Sequence, residues 1–122
     1  MKIWKYSGMF LTGTGILHVI AALILEKQGL AEIIRNGPIN SVGDDCVRGL
    51  AFWFLVCGII VILFGHTLHL YIKQVQKPAP LFFGWFLLIF AVAGCVIVPV
   101  SGFWLFLPQA LIVIVANKKT TK

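Results

Sequence analysis

Acidic residues are scarce in this 122-residue chain, four against ten lysines and arginines, and they are missing from all of it but one stretch. Glu26, Glu32, Asp44 and Asp45 lie together, while the other charged junctions between apolar runs carry only lysine. No carboxylate falls inside an apolar run, so a zinc or di-iron carboxylate centre lacks its ligands and a proton-coupled carrier lacks its embedded acid. Cysteine is sparse as well. Cys46, Cys57 and Cys95 form no C-x-x-C pair, which disfavours thiol–disulfide exchange, although Cys46 in the polar stretch is placed to bond another chain. Charged residues make up 11% and apolar residues 60%, with a mean hydropathy of +0.99. Soluble domains run near about 25% and 45–50%. So much apolar surface cannot be hidden in a chain of this length, and lipid must cover the rest. The net charge of +6 is therefore a set of orientation signals and headgroup anchors, not a nucleic-acid footprint.

What is present is four apolar runs, residues 6–25, 49–72, 81–98 and 103–116. A helix rising 1.5 Å per residue needs about 20 residues to cross about 30 Å of hydrocarbon, and the first two runs reach that length. The fourth is expected to be shallow or tilted. Pro99-Val100-Ser101-Gly102 reads as a stop, a turn and a restart: proline ends one helix, Ser101 caps the next, and the short connection forces an antiparallel hairpin. The expected fold is all-α, one transmembrane domain over residues 1–122 arranged as a four-helix bundle. Lys2 and Lys5 precede the first span, Lys73 and Lys77 separate the second from the third, and Lys118, Lys119 and Lys122 follow the fourth, with no acid among them. By the positive-inside rule both termini and the Lys73–Lys77 loop are cytoplasmic, and the 26–48 segment and the Pro99 turn lie outside. The first run has some features of a signal peptide, but Thr12-Gly13-Thr14-Gly15 interrupts it and its loss would put the basic ends on opposite sides, so it is expected to stay as a span.

The outer segment is expected to form a turn or two of helix over Leu30 to Arg35, ended by Asn36-Gly37-Pro38 and laid on the bundle or the interface through Leu30, Ile33 and Ile34. Asp44 and Asp45 precede the second span, where carboxylates suit the positive end of a helix, and Asp44 stands four residues from Arg48.

Polar groups inside the spans are the functional candidates. Gly8, Thr12, Gly15, Val19 and Ala22 recur at intervals of four and three, making a face on which another helix backbone can approach closely. His18 lies at the edge of that face, within reach of a partner group across the helices. His66 and His69 share a stripe with Phe52, Leu55, Ile59 and Ile62 and have no carboxylate nearby, so no metal site is assigned to them. His18 and His66 differ in depth by roughly 10 Å at 1.5 Å per residue, too far for one haem. In the fourth span Pro108 is expected to free the Trp104 carbonyl and kink the helix, beside the amide of Gln109. Trp4, Tyr6, Tyr71 and Trp85 sit near span boundaries as interfacial anchors.

Gly15-Ile16-Leu17-His18, Asn40-Ser41-Val42, Arg48 with Ala51-Phe52-Trp53-Phe54, Gly84-Trp85, and Pro99-Val100-Ser101-Gly102-Phe103-Trp104 with Pro108 together resemble an uncharacterised bacterial family of small four-span membrane proteins, a domain of unknown function. The resemblance covers nearly the whole chain, implies a multi-pass protein of the bacterial inner membrane and brings no activity. His18, Asn40, Arg48, Trp53, Ser101 and Trp104 match its recurrent positions. Asn40, Arg48, Ser101 and Trp104 map to the outer side and, with the outer half of the span bearing His18, are expected around a small outward-opening cavity; these residues, His18 and Gln109, whose amide beside the freed Trp104 carbonyl offers a polar pocket, are the ligand-binding candidates. The favoured function is small-ligand or lipid binding, or assembly with itself or another protein through the face of Gly8, Thr12, Gly15 and Ala22. One alternative is a membrane enzyme acting on a lipophilic substrate, with His18 as acid or base and Arg48 or Ser101 on a polar head. A dimeric transporter is another. No catalytic residue, metal or cofactor is assigned; the expected partners are membrane lipid and a second copy of the chain.

Overall fold

A computed structural model describes residues 2–120. Among them are five α-helices and no strand: α1 (Ser7–Leu25), α2 (Lys27–Arg35), α3 (Cys46–Val75), α4 (Leu81–Ile97) and α5 (Phe106–Thr120). Single 3-10 turns, Ile3–Tyr6 and Gly102–Leu105, lead into α1 and α5. Two helices are long and apolar enough to cross a membrane, the 23-residue stretch Ile3–Leu25 and the 30-residue α3, while α4 is a shorter apolar helix. At 1.5 Å per residue α3 is about 45 Å long, more than the hydrocarbon thickness of a bilayer.

Small residues spaced by seven decide which helices meet. Gly8, Gly15, Ala22 and Gly29 run down α1 and on into α2, and Ala51, Gly58, Gly65 and Ile72 run down α3; all eight are buried. The two stripes face each other in antiparallel register. A Cβ at Gly8 would meet the backbone of His69, one at Gly15 the backbone nitrogen of Ile62 at 2.7 Å, and one at Gly65 the backbone of Thr12. A repeat of 3.5 residues per turn keeps one seam in contact along the length of both helices, the geometry of shallow, left-handed crossings. The face of Gly8, Thr12, Gly15 and Ala22 is thus filled by α3 of the same chain and is not open to a second molecule. On α3 the packing edge is this glycine edge and not the stripe of Phe52, Leu55, Ile59 and Ile62, of which Phe52 and Ile59 are exposed.

The second pair, α4 with α5, is held differently. Gly84 meets Ile114 and Val113, and Gly94 is covered by the ring of Phe103, which together with Phe90 and Phe106 forms an edge-on aromatic cluster. Backbone contact is close within each pair, sparser between α1 and α5, and scarcely present between the consecutive helices α3 and α4. A shared core of Leu11, Leu68, Leu87, Ala91, Ala110 and Val113 joins the pairs, with Val113 its only bulky side chain that is fully buried among the described residues.

The connections follow from local chemistry. At Glu26 the chain bends and continues as α2, whose Gly29 lies against the Val47 carbonyl and the Ala51 methyl at the start of α3. Gly37, at φ +82°, turns the chain after α2, and Asn40, at φ +52°, takes a left-handed conformation that asparagine tolerates. Asp45 caps α3: its Oδ1 accepts from the backbone N–H of Arg48 at 2.9 Å, and its other oxygen lies 3.4 Å from the guanidinium. Arg48 therefore pairs with Asp45, one residue away from the Asp44 expected from helical spacing. Ser101 Oγ accepts from the N–H of Phe103 and opens the second 3-10 turn. Pro108 stands in the first turn of α5, where an N–H has no helical acceptor to lose, so it makes no mid-helix kink.

Candidate functional site

Antiparallel packing of successive long helices brings both ends of the described chain and the α3–α4 connection to one end of the molecule. Lysines from all three meet there. A cavity of about 650 Å³ is bounded by Lys2, Ile3 and Trp4 before α1, by Gln76, Lys77 and Pro78 after α3, and by the last two turns of α5. A smaller one of about 150 Å³, between Lys5, His69, Ile72, Lys73 and Gln76, adjoins it. Neither is lined by an acid. Leu111, Ile112 and Val115 give the larger cavity an apolar part of its lining, to which Lys2, Lys77 and Lys119 also belong. Lys122 lies outside the described residues.

Gln76 divides the two cavities and is fixed by its own helix. It ends α3 at φ +55°, and its Nε2 donates to the Lys73 carbonyl at 2.7 Å, satisfying one of the acceptors a helix leaves free at its C-terminus. The Lys5 ammonium stands 5.9 Å from the centre of the Trp4 ring, a cation–π distance. His69 is half-buried: its Nδ1 is closed off without a hydrogen-bond partner among the described residues, while His66, three residues earlier, is exposed.

The residues singled out by sequence are spread over the rest of the molecule. His18 lies between α1 and α3, its ring 4.4 Å from that of Phe54 and its Cδ2 against Gly58, with Nε2 buried and unpartnered among the described residues. Gln109 is buried on α5. Its Nε2 donates to Thr14 Oγ1 at 2.7 Å and to the Leu105 carbonyl at 2.9 Å, which makes a polar link between the two helix pairs. Thr14 passes its own proton to the Phe10 carbonyl. Trp104 is exposed, and its indole N–H donates to the Pro99 carbonyl at 2.8 Å, closing the hairpin turn. Asn40 is exposed in the 36–45 connection, whereas the Oγ of Ser41 and the Nε of Arg48 are buried without partners among the described residues. Trp53 is exposed on α3. Arg48, Ser101 and Trp104 are engaged one by one in caps and turns and Gln109 in a link between helices, and none of the residues singled out by sequence lines the 650 Å³ cavity.

The one resolved electrostatic shift outside the helical spans belongs to Asp45. Hydrogen bonding from the Arg48 backbone N–H, reinforced by the Arg48 side chain, holds its carboxyl below the usual value of 3.8.

A family profile matches residues 2–120, almost everything the fold uses. The chain belongs to DUF6463, a family of unknown function. Neither a curated protein nor a solved structure matches it. Membership in DUF6463 thus fixes kinship and leaves chemistry to be read from the molecule itself. In this member the sequence marks the lysines as orientation signals and headgroup anchors but does not show that those of separate segments line one cavity. Their spacing at three successive ends of an up-and-down chain was the available signal, since such ends must converge.

Proposed function

We propose that this chain is a four-span protein of the bacterial inner membrane, with both termini and the α3–α4 connection in the cytoplasm, that works by binding and not by covalent chemistry. The supporting observation is the division of its surface. Lysines gather at one end, the four acids lie toward the other, and between them the helices turn large apolar side chains outward, among them Leu63, Phe86, Ile89 and Val96, each more than 60% exposed. Only 11% of the most apolar window of α3 is buried inside the molecule, the reverse of a core helix in a water-soluble protein. Lipid accounts for that surface, and the positive-inside rule for its polarity.

Binding is favoured over the other readings by particular residues. Assembly through the small-residue face of α1 is closed off by α3, so a homo-oligomer would use the outward apolar surfaces of α3 or α4. Catalysis by His18 would need a substrate to reach Nε2, which is buried between α1 and α3.

Cysteine labelling tests the orientation. In a Cys57→Ser, Cys95→Ser background, the exposed Cys46 near the acidic end should react with a membrane-impermeant maleimide on intact spheroplasts. A Thr120→Cys variant lacking the other cysteines should react only after permeabilisation. The opposite pattern would invert the topology, and release of the protein by alkaline carbonate would remove it from the membrane altogether.

A further inference from the structure

We propose that the basic cavity holds one anionic phospholipid, its phosphate among Lys2, Lys77 and Lys119 and an acyl chain along Leu111, Ile112 and Val115. The inference rests on the membrane reading above and assigns the site and the ligand class. Lysines from three separate segments, Lys2, Lys77 and Lys119, line this cavity with no carboxylate among its residues, so its potential is positive. Part of the basic character has a simpler cause, because Lys73 and Lys119 stand in the last turns of α3 and α5, where the helix dipole favours a cation. Lys77 follows the C-cap of α3 and shares in that effect, whereas Lys2 stands at the start of the chain's first 3-10 turn, where the dipole does not favour a cation. They, with Lys119, are the groups an anion would bring into balance.

The apolar side of the cavity selects among anions. A soluble phosphate has no use for Leu111, Ile112 and Val115, and a zwitterionic lipid carries its own cation and has no need of the lysines. An anionic amphiphile uses both. The volume of about 650 Å³ falls within the roughly 300–1,000 Å³ usual for small-molecule sites. At its rim Gln76 is held by the bond from its Nε2 to the Lys73 carbonyl.

Native mass spectrometry of the delipidated protein, titrated with phosphatidylglycerol or phosphatidylcholine of matched chains, tests this. One phosphatidylglycerol should bind before any phosphatidylcholine, and Lys2→Gln or Lys77→Gln should weaken that adduct roughly fivefold each, the effect expected of one lysine at an anionic headgroup. Lys118→Gln, at the same end but outside the lining, should change it little. Ile112→Trp, which fills the apolar side and leaves every charge, should also lower the occupancy of phosphatidylglycerol. Circular dichroism of each variant reports whether the helices persist. Equal binding of the two lipids overturns the proposal, as does an equal loss in Lys118→Gln, which would mean a diffuse surface potential. Full displacement of the lipid by glycerol phosphate would assign the site to a free anion instead. A failure of the membrane reading would be seen separately, in the carbonate extraction.

Discussion

The two helix pairs solve the same packing problem with opposite materials. In α1–α3 glycine mostly faces backbone: at Gly8, Gly15 and Gly65 an added methyl would strike backbone atoms, while at Gly58 it would first meet the Val19 side chain. In α4–α5 glycine faces side chain: Gly84 meets the ends of Val113 and Ile114, and Gly94 meets the Phe103 ring. On the membrane reading proposed above, the helices gain little from the hydrophobic effect, so close van der Waals contact has to hold them together. The first pair maximises that contact by removing side chains, and the second by interleaving them. The first is consequently rigid and intolerant, and the second has atoms that can move.

Substitutions at the glycines should expose that contrast most strongly. Gly65→Leu would drive its side chain into the Thr12 backbone, and its cost should exceed the roughly 1–3 kcal/mol of ordinary overpacking, seen as loss of cooperative thermal unfolding in detergent. Gly84→Ala, which meets the Cγ1 atoms of Ile114 and Val113 at 2.8 and 3.0 Å, should cost about 1–3 kcal/mol by the same measurement, less than Gly65→Leu because side chains and not backbone must give way. Equal costs would mean that the pairs do not differ in kind.

The link between the pairs predicts a smaller and asymmetric effect. Thr14→Val removes the acceptor of a buried amide and should destabilise by about 1–2 kcal/mol. Gln109→Leu removes the same bond together with a buried Oε1 that has no partner among the described residues, and should cost less, near the roughly 0.6 kcal/mol average for polar contacts between membrane helices. Urea or detergent titration of the two variants side by side checks the order.

The mildest effect concerns the cap that starts α3. Because the folded-state pKa of Asp45 is lowered, its contribution is complete above the ordinary carboxylate value of 3.8 and is lost as pH falls through the lowered one. Asp45→Asn should remove that acid sensitivity and leave stability at neutral pH slightly reduced, with α3 fraying at Cys46 and Val47. Thermal melts at pH 7 and pH 3 report both.

How much of this was readable in advance varies with the physics involved. The helical class, the antiparallel hairpin at Pro99 and the cap at Ser101 follow from run length, proline and hydroxyl chemistry, all local. The small-residue face of α1 was visible for the same reason. Its counterpart on α3 obeys the same spacing, but Ala51, Gly58 and Gly65 stand far apart among large apolar residues and do not stand out in the sequence. In an apolar solvent large residues gain little by turning inward, and the small ones mark the contact. Pro108 was misplaced in the helix because the 3-10 turn Gly102–Leu105 takes up the residues expected to form its first turn. The candidate site was least legible. Asn40, Arg48, Ser101 and Trp104 were recognisable as special, and the fold gives several of them turn and cap roles, while the lysine cavity depends on three chain segments meeting, which no single window contains.

The facing stripes of α1–α2 and α3 also say how little text the pairing requires. Eight positions, each a Gly, Ala or Ile in fixed register, specify the match, and almost any greasy letter would serve on the outward surface of either helix. A library randomised among apolar residues at Phe52, Trp53, Ile59 and Leu63 should therefore return mostly folded protein, whereas one randomised at Gly8, Gly15, Gly58 and Gly65 should return nearly none.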